Sequence, residues 1–324
     1  MSAGRVIRVE RGWVTLATEL GTRSAQTAEE LVVGDWVLFH PSSGPIKTER
    51  VLPRRTGISR KVSGRAFREQ ILAANVDYVF VVSSLNSELN PSRLERYLTM
   101  IAGGGASPVI VLTKADLCLD PEPLIESIRR AVGDAPILVV SAVTGFGLDA
   151  LSPYMGPGNT VVLTGSSGTG KSTLINALLG QNRLETGAIR QGDERGRHTT
   201  TRREMMLLPS GGSIIDTPGI RELSPWVEED ALNTAFSDIE NLGGQCRFRN
   251  CSHQGEPGCA VLSAVEEGEL EERRLENWAK MGRELRHLQT RDDQLAKQKK
   301  KQKDKALHKS FRQVKAFKKN SRRG

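Results

Sequence analysis

Thr113-Lys114-Ala115-Asp116, Ser141-Ala142, Gly165-Ser166-Ser167-Gly168-Thr169-Gly170-Lys171-Ser172-Thr173 and Asp216-Thr217-Pro218-Gly219 follow one another in that order. They match the base-reading and phosphate-reading elements of a guanine-nucleotide domain. In a small GTPase of ordinary order, the phosphate loop opens the domain and the base-reading motifs close it. The reversed order predicts a circularly permuted α/β GTPase domain.

Each element has a chemical reason. Gly165-x4-Gly170-Lys171-Ser172 lies between an apolar strand, Thr160–Leu163, and a helix expected over Ser172–Leu179. The glycines let backbone amides curl around a β-phosphate, Lys171 neutralises β/γ oxygens, and the Ser172 hydroxyl ligates Mg²⁺. Asp216 follows the strand Ser213–Ile215 and is expected to reach Mg²⁺ through water, with the Gly219 amide sensing the γ-phosphate. The Asp116 carboxylate can accept both N1–H and the exocyclic amine of guanine, a donor pair that adenine lacks. Lys114 is expected to pack its stem along the base, and Ser141-Ala142 to offer an amide to O6. Thr113 stands where Asn is usual; it keeps a hydroxyl but loses an amide, which predicts modest base affinity.

The Gly192–Arg203 segment, rich in Gly, charge and Thr, is the expected first switch, with Thr200 or Thr201 on Mg²⁺. Many GTPases carry a water-orienting Gln just after Asp-x-x-Gly. Ile220 occupies that place and cannot hydrogen-bond, so slow intrinsic turnover is expected. His198 is the nearest group that could orient water, and a solvated loop histidine is its plain alternative.

Outside this centre the pattern changes. The first 60 or so residues read as short strands over Val6–Val9, Trp13–Ala17, Trp36–His40 and Thr48–Leu52, a pattern that suggests an OB-like barrel. Trp13, Trp36 and Phe39 are its possible base-stacking platforms or its core. Arg50, Arg54, Arg55, Arg60, Lys61, Arg65 and Arg68 read as a basic linker. From about Gln70, strands at Val76–Val82, Pro108–Leu112 and Pro136–Val140 alternate with helices at Pro91–Ala102, Pro121–Val132 and Gly147–Met155, which means a parallel sheet. After Ser224 the chain reads as helical, over Glu228–Glu240 and an amphipathic Ala260–Gln289.

The 324 residues carry a net charge of +8, and 38% are hydrophobic. The tail from Arg291 holds fourteen Lys/Arg against three Asp, a net +11, which leaves −3 for the other 290 residues. A basic tail on a slightly acidic body predicts contact with nucleic acid, through displacement of counterions from phosphates. Apolar runs are too short to span a bilayer, and the first residues lack an apolar signal core, so a cytoplasmic protein without membrane contact is expected. Cys246-x4-Cys251-x-His253-x5-Cys259 supplies three thiolates and one imidazole, the ligand set of one closed tetrahedral zinc site per chain, structural rather than catalytic.

Taken together, the barrel, the permuted domain with Gly196-Arg197-His198-Thr199-Thr200-Thr201 and Asp216-Thr217-Pro218-Gly219-Ile220, the cysteine cluster and the basic tail resemble the ribosome small-subunit-dependent GTPase A family. The resemblance spans essentially the whole chain. It implies an OB barrel at 1–62, a permuted P-loop GTPase domain at 63–224, a helical zinc-binding domain at 225–290 and a basic tail at 291–324. It further implies a monomer that docks on the 30S subunit and its 16S rRNA late in maturation. Hydrolysis of GTP is then stimulated by the subunit, aided by His198, and followed by release. The competing expectation is a GTP-responsive RNA-binding module of translation or large-subunit assembly with incidental hydrolysis. Permutation also leads the second switch, around Asp216–Ile220, directly into the zinc-bearing helices, so coupling between them is expected.

Overall fold

Backbone pairing closes the N-terminal strands on themselves. β1 (Ser2–Glu10), β2 (Trp13–Thr18), β3 (Gly21–Gln26), β4 (Trp36–Phe39) and β5 (Ile46–Val51) pair in the order β1-β2-β3-β5-β4, and β4 returns to β1. This is a five-stranded barrel in a computed structural model, which describes residues 1–41, 46–62, 68–86, 89–181, 204–216, 229–287 and 290. Alternate side chains fill it: Val6, Val14, Leu16, Ala25, Val37, Phe39 and Ile46 are buried. Phe39 therefore belongs to the core, whereas Trp13 and Trp36 are 41% and 38% exposed. The Arg5 guanidinium lies 5.5 Å from the Trp36 ring centroid. β3 carries one buried side chain, Ala25, among polar neighbours, which is why no strand was legible there.

The basic linker expected after the barrel is instead a hairpin. β6 (Gly57–Val62) pairs antiparallel with β7 (Arg68–Ala74). Its apolar side chains Ile58, Leu72, Ala73 and Ala74 are buried despite the surrounding charge. Arg54 is structural as well, donating from Nε and Nη2 to the fully buried Asp35 carboxylate at 2.6 and 2.8 Å. Gly34, at φ +96°, brings the barrel against β7; a Cβ there would lie 1.9 Å from the Ala74 carbonyl oxygen.

The central sheet has the order β10-β9-β8-β11-β13-β12, formed by β8 (Tyr78–Ser84), β9 (Ser107–Thr113), β10 (Ile137–Val139), β11 (Thr160–Thr164), β12 (Glu204–Leu207) and β13 (Ser213–Asp216). All neighbours are parallel except β12, which runs antiparallel to β13. α1 (Pro91–Ala102) and α2 (Glu122–Val132) pack on one face with Val79 and Val81, while α3 (Lys171–Leu179) packs on the other with Phe80 and Val82. Burial on both faces explains the unbroken apolar runs of these strands. The helix expected at Gly147–Met155 is a 3-10 stretch, Leu148–Tyr154. β1 pairs with β12 at Arg8↔Glu204, with an ion pair of 2.6 Å, so barrel and central domain share one sheet.

The C-terminal region is helical: α4 (Glu229–Ala235), α5 (Ser237–Gly243), α6 (Ala260–Glu266) and α7 over 272–287. Two expected long helices are each broken. Phe236 separates α4 from α5, and a turn with Gly268 at φ +78° separates α6 from α7. Leu232, Phe236, Ile239, Val261, Leu275 and Met281 form their shared core.

Candidate functional site

Because β9, β10, β11 and β13 are parallel, the loops at their C-terminal ends emerge along one edge of the sheet. Those loops carry Thr113–Asp116, Ser141-Ala142, Gly165–Lys171 and Asp216, segments spread over 104 residues of sequence. Reversing their order along the chain leaves their places in the sheet intact.

The phosphate loop is shaped by glycines. Gly165, Gly168 and Gly170 all take positive φ, and a Cβ on Gly165 would stand 2.1 Å from the Val82 carbonyl oxygen. Lys171 is buried and folds over the loop, donating to Gly165 O at 2.8 Å, to Ser166 O and to Thr169 Oγ1 at 3.3 Å. Ser172 and Thr173 follow in the first turn of α3, whose N-terminus favours an anion.

Thr113 is buried, and its hydroxyl donates to Thr169 O at 2.6 Å, with Ser83 O at 3.2 Å. It thus ties the loop after β9 to the glycine-rich loop after β11. This tether uses the hydroxyl alone and needs no side-chain amide at position 113. Lys114 sits at φ +61°, a strained conformation for a side-chain-bearing residue, and turns the chain into the 3-10 turn Ala115–Leu117. The Asp116 carboxylate accepts from Ser141 Oγ at 2.5 Å, and Ala115 N donates to Val140 O at 3.2 Å. Ser141 is fully buried, with its amide donating to Phe146 O at 2.9 Å. Ser141 thus holds the Asp116 carboxylate in one orientation. Sequence reading assigned Ser141 an amide role and missed this side-chain brace of Asp116.

Asp216 ends β13 and pairs with Glu204 across the antiparallel ladder. His198, Thr200, Thr201, Gly219 and Ile220 lie outside the described residues, as does the basic tail.

A second site stands in the C-terminal helices. The ligand atoms of Cys246, Cys251, His253 and Cys259 all lie within 4.8 Å of one another. His253 Nδ1 is 3.7 Å from Cys246 Sγ and 3.3 Å from Cys259 Sγ, and the two sulfurs are 3.9 Å apart. Bonds of about 2.3 Å to sulfur and 2.0–2.1 Å to nitrogen at tetrahedral angles require separations of about 3.5–3.8 Å, so Cys246, His253 and Cys259 suit zinc, with the Cys251 sulfur within 4.8 Å to complete the set. Burial opposes the Cys246 thiolate, but the amides of Val261 and Ala260 and the neighbouring thiols prevail, and its pKa is lowered. Burial, together with the sulfurs of Cys259 and Cys246, pushes the Cys251 thiol up to about 11. Three sulfurs this close ionise together only around a cation. The loop is braced by Glu256, which accepts from Ser252 N and Gln254 N at 2.8 Å each and from the Ser252 hydroxyl; these bonds hold its carboxyl at about 2. Trp278 covers the ring of His253 at 5.4 Å.

Among the described residues, no helix is long and apolar enough to cross a membrane. A family model described as RsgA GTPase matches residues 51–226, and one described as ABC transporter matches residues 148–320. The second window covers the strand, phosphate loop and helix that nucleotide-binding families share, but it leaves out Asp116. A protein of Methanosarcina acetivorans named small ribosomal subunit biogenesis GTPase RsgA is 50% identical over 256 residues, covering 78% of this chain and 69% of that protein. Its namesake in Streptomyces avermitilis is 45% identical over 302 residues, covering 90% of this chain and 81% of that protein. The crystal structure of YjeQ from Thermotoga maritima superposes with a TM-score of 0.68 at 28% identity, covering 88% of this chain and 98% of that one. That of YloQ, titled a circularly permuted GTPase, shares the fold with a TM-score of 0.65 at 24% identity, covering 89% and 96%.

Proposed function

Because the chain belongs to the RsgA GTPase family and hydrolyses GTP, we propose that it works as a timed switch in late maturation of the 30S ribosomal subunit. The GTP-bound form binds the subunit and its 16S rRNA, and subunit-stimulated hydrolysis releases it. The observation that carries this reading is the meeting of the glycine-shaped phosphate loop with a carboxylate, Asp116, pre-oriented by Ser141 and tied in through Thr113. The names of the relatives supply the partner.

In this proposal Asp116 accepts the two guanine donors, Lys114 covers the base, and Ala142 offers the amide to O6, since Ser141's amide is engaged with Phe146. Lys171 and the loop amides from Gly165 to Thr173 hold the phosphates, and Gly219 senses the third. Ser172, Asp216 and either Thr200 or Thr201 hold Mg²⁺, which neutralises charge on the β/γ oxygens when bound. His198 orients the attacking water, a task for which Ile220 has no hydrogen-bonding group. Zinc on Cys246, Cys251, His253 and Cys259 holds the C-terminal domain in shape. The chain acts in the cytoplasm as a monomer. Its domains follow the boundaries 1–62, 63–224, 225–290 and 291–324, with the hairpin of β6 and β7 spanning the first of them.

GTP turnover by the full chain, alone and with purified small subunits, large subunits or naked RNA, tests the proposal. Small subunits are expected to raise turnover by at least tenfold, modest beside the ~10³–10⁵ that partner groups supply to other GTPases. His198→Ala is expected to keep GTP binding and lose this stimulation. Equal stimulation by all three additions would sink the small-subunit assignment, and an unchanged His198→Ala would remove that histidine from the mechanism.

A further inference from the structure

α1 touches the phosphate loop with one face and the C-terminal helices with another. On the first face, Arg93 Nη1 donates to Ser166 Oγ at 2.8 Å. Tyr97, one turn on and buried, turns its hydroxyl toward the side chains of Ser166 and Thr164. On the second face stands Glu95, 1% exposed. Its carboxylate accepts from Arg273 Nη1 and Nη2 at 3.2 Å each, from Arg274 Nη1 at 3.1 Å and from Asn277 Nδ2 at 2.6 Å. Arg273 also reaches Ser92 Oγ at 2.9 Å.

All three donors to Glu95 come from α7. Arg274 fastens α7 further, donating to both Asp238 oxygens at 2.7 Å and to the carbonyls of Ala235 and Ala131 at 3.0 Å, with its guanidinium 4.6 Å from the Phe236 ring. A carboxylate removed from water is tolerated only where donors are fixed around it. Glu95 therefore binds α1 to the position of α7. Arg93 and Glu95 stand two positions apart within one helical turn, so a shift of one face moves the other.

We infer that Glu95 is a positioning residue for the nucleotide site: it transmits the placement of the zinc-bearing helices through α1 to Ser166 of the phosphate loop. This route is independent of the connection through 217–228. It rests on residues 165–173 being the nucleotide loop. By linkage, a C-terminal domain that sets the loop must itself respond when the loop is filled.

The test is amide hydrogen exchange of the zinc-loaded full chain with and without saturating GDP, with GDP binding measured on the same samples. GDP is expected to slow exchange in 272–287 about fivefold or more, the lower end of common coupling strengths, alongside the loop itself. Arg93→Ala combined with Tyr97→Phe leaves the Glu95 cluster in place. In that variant, saturating GDP should still protect the loop while 272–287 no longer responds. Glu95→Gln is expected to weaken GDP binding about fivefold by the same coupling. Loop protection without any change in 272–287 overturns the inference, as does a response that survives the double substitution. Failure of GDP to bind the unaltered chain would bring down the loop reading and the inference together.

Discussion

Asp116→Asn is expected to exchange the preferred base, losing GTP and gaining XTP. Guanine offers N1–H and an exocyclic amine, and the Asp116 carboxylate accepts both. In xanthine a carbonyl replaces the amine, which suits an amide that accepts with its oxygen and donates with its nitrogen. Hydrogen bonds to a charged group contribute about 1.5–3 kcal/mol each, and the variant also opposes amine to amine, so GTP affinity should fall by at least ~100-fold. Ser141 still has an oxygen to donate to, so the loop should keep its shape. Direct titration of the unaltered chain and the variant with fluorescent GTP and fluorescent XTP reads the result. Unchanged GTP preference would mean that the base is read elsewhere.

Zinc removal is expected to unfold the C-terminal helices while leaving the central sheet folded. Cys259 stands at the N-terminal boundary of α6 and is 4% exposed within the core formed by Leu232, Phe236, Ile239 and Val261. Helices this short, packed on so small a core, depend on a cross-link or a metal, and structural zinc contributes about 10–16 kcal/mol in small peptides. Chelation or Cys259→Ser should therefore expose residues beyond 229 to proteolysis and eliminate one zinc per chain by elemental analysis. A zinc-free chain as protease-resistant as the loaded one would refute the structural role.

The glycine-shaped loop and the cluster of three cysteines and a histidine were legible because their geometry demands particular residues at short spacing. Glycines shape a loop that only they can shape, as Gly165 against Val82 illustrates, and four ligands fall between Cys246 and Cys259. The central strands were legible because both faces are buried. β3 escaped because its stability comes from two neighbouring strands and one inward alanine. The β6–β7 hairpin escaped because its charges hide the apolar residues beneath. The brace of Asp116 and the Glu95 cluster were out of reach for a further reason. They join residues 25 and about 180 positions apart, and no local pattern marks either end. Thr113 shows the complement: the departure from Asn was visible, but its partner, Thr169, became visible only in the fold.

The permuted order acquires a physical consequence from this arrangement. It places α1 early in the domain, between the phosphate loop and helices that arrive at the end of the chain. The 165–173 loop is thereby tied through Glu95 to helices that also follow it in sequence.

The claim that guanine nucleotide governs subunit binding is tested most directly by sedimentation of the full chain with purified ribosomal subunits. With a non-hydrolysable GTP analogue the protein should pellet with small subunits, with GDP it should remain in the supernatant, and large subunits should retain it in neither state. Equal retention with analogue and GDP, or retention by large subunits, would contradict the account.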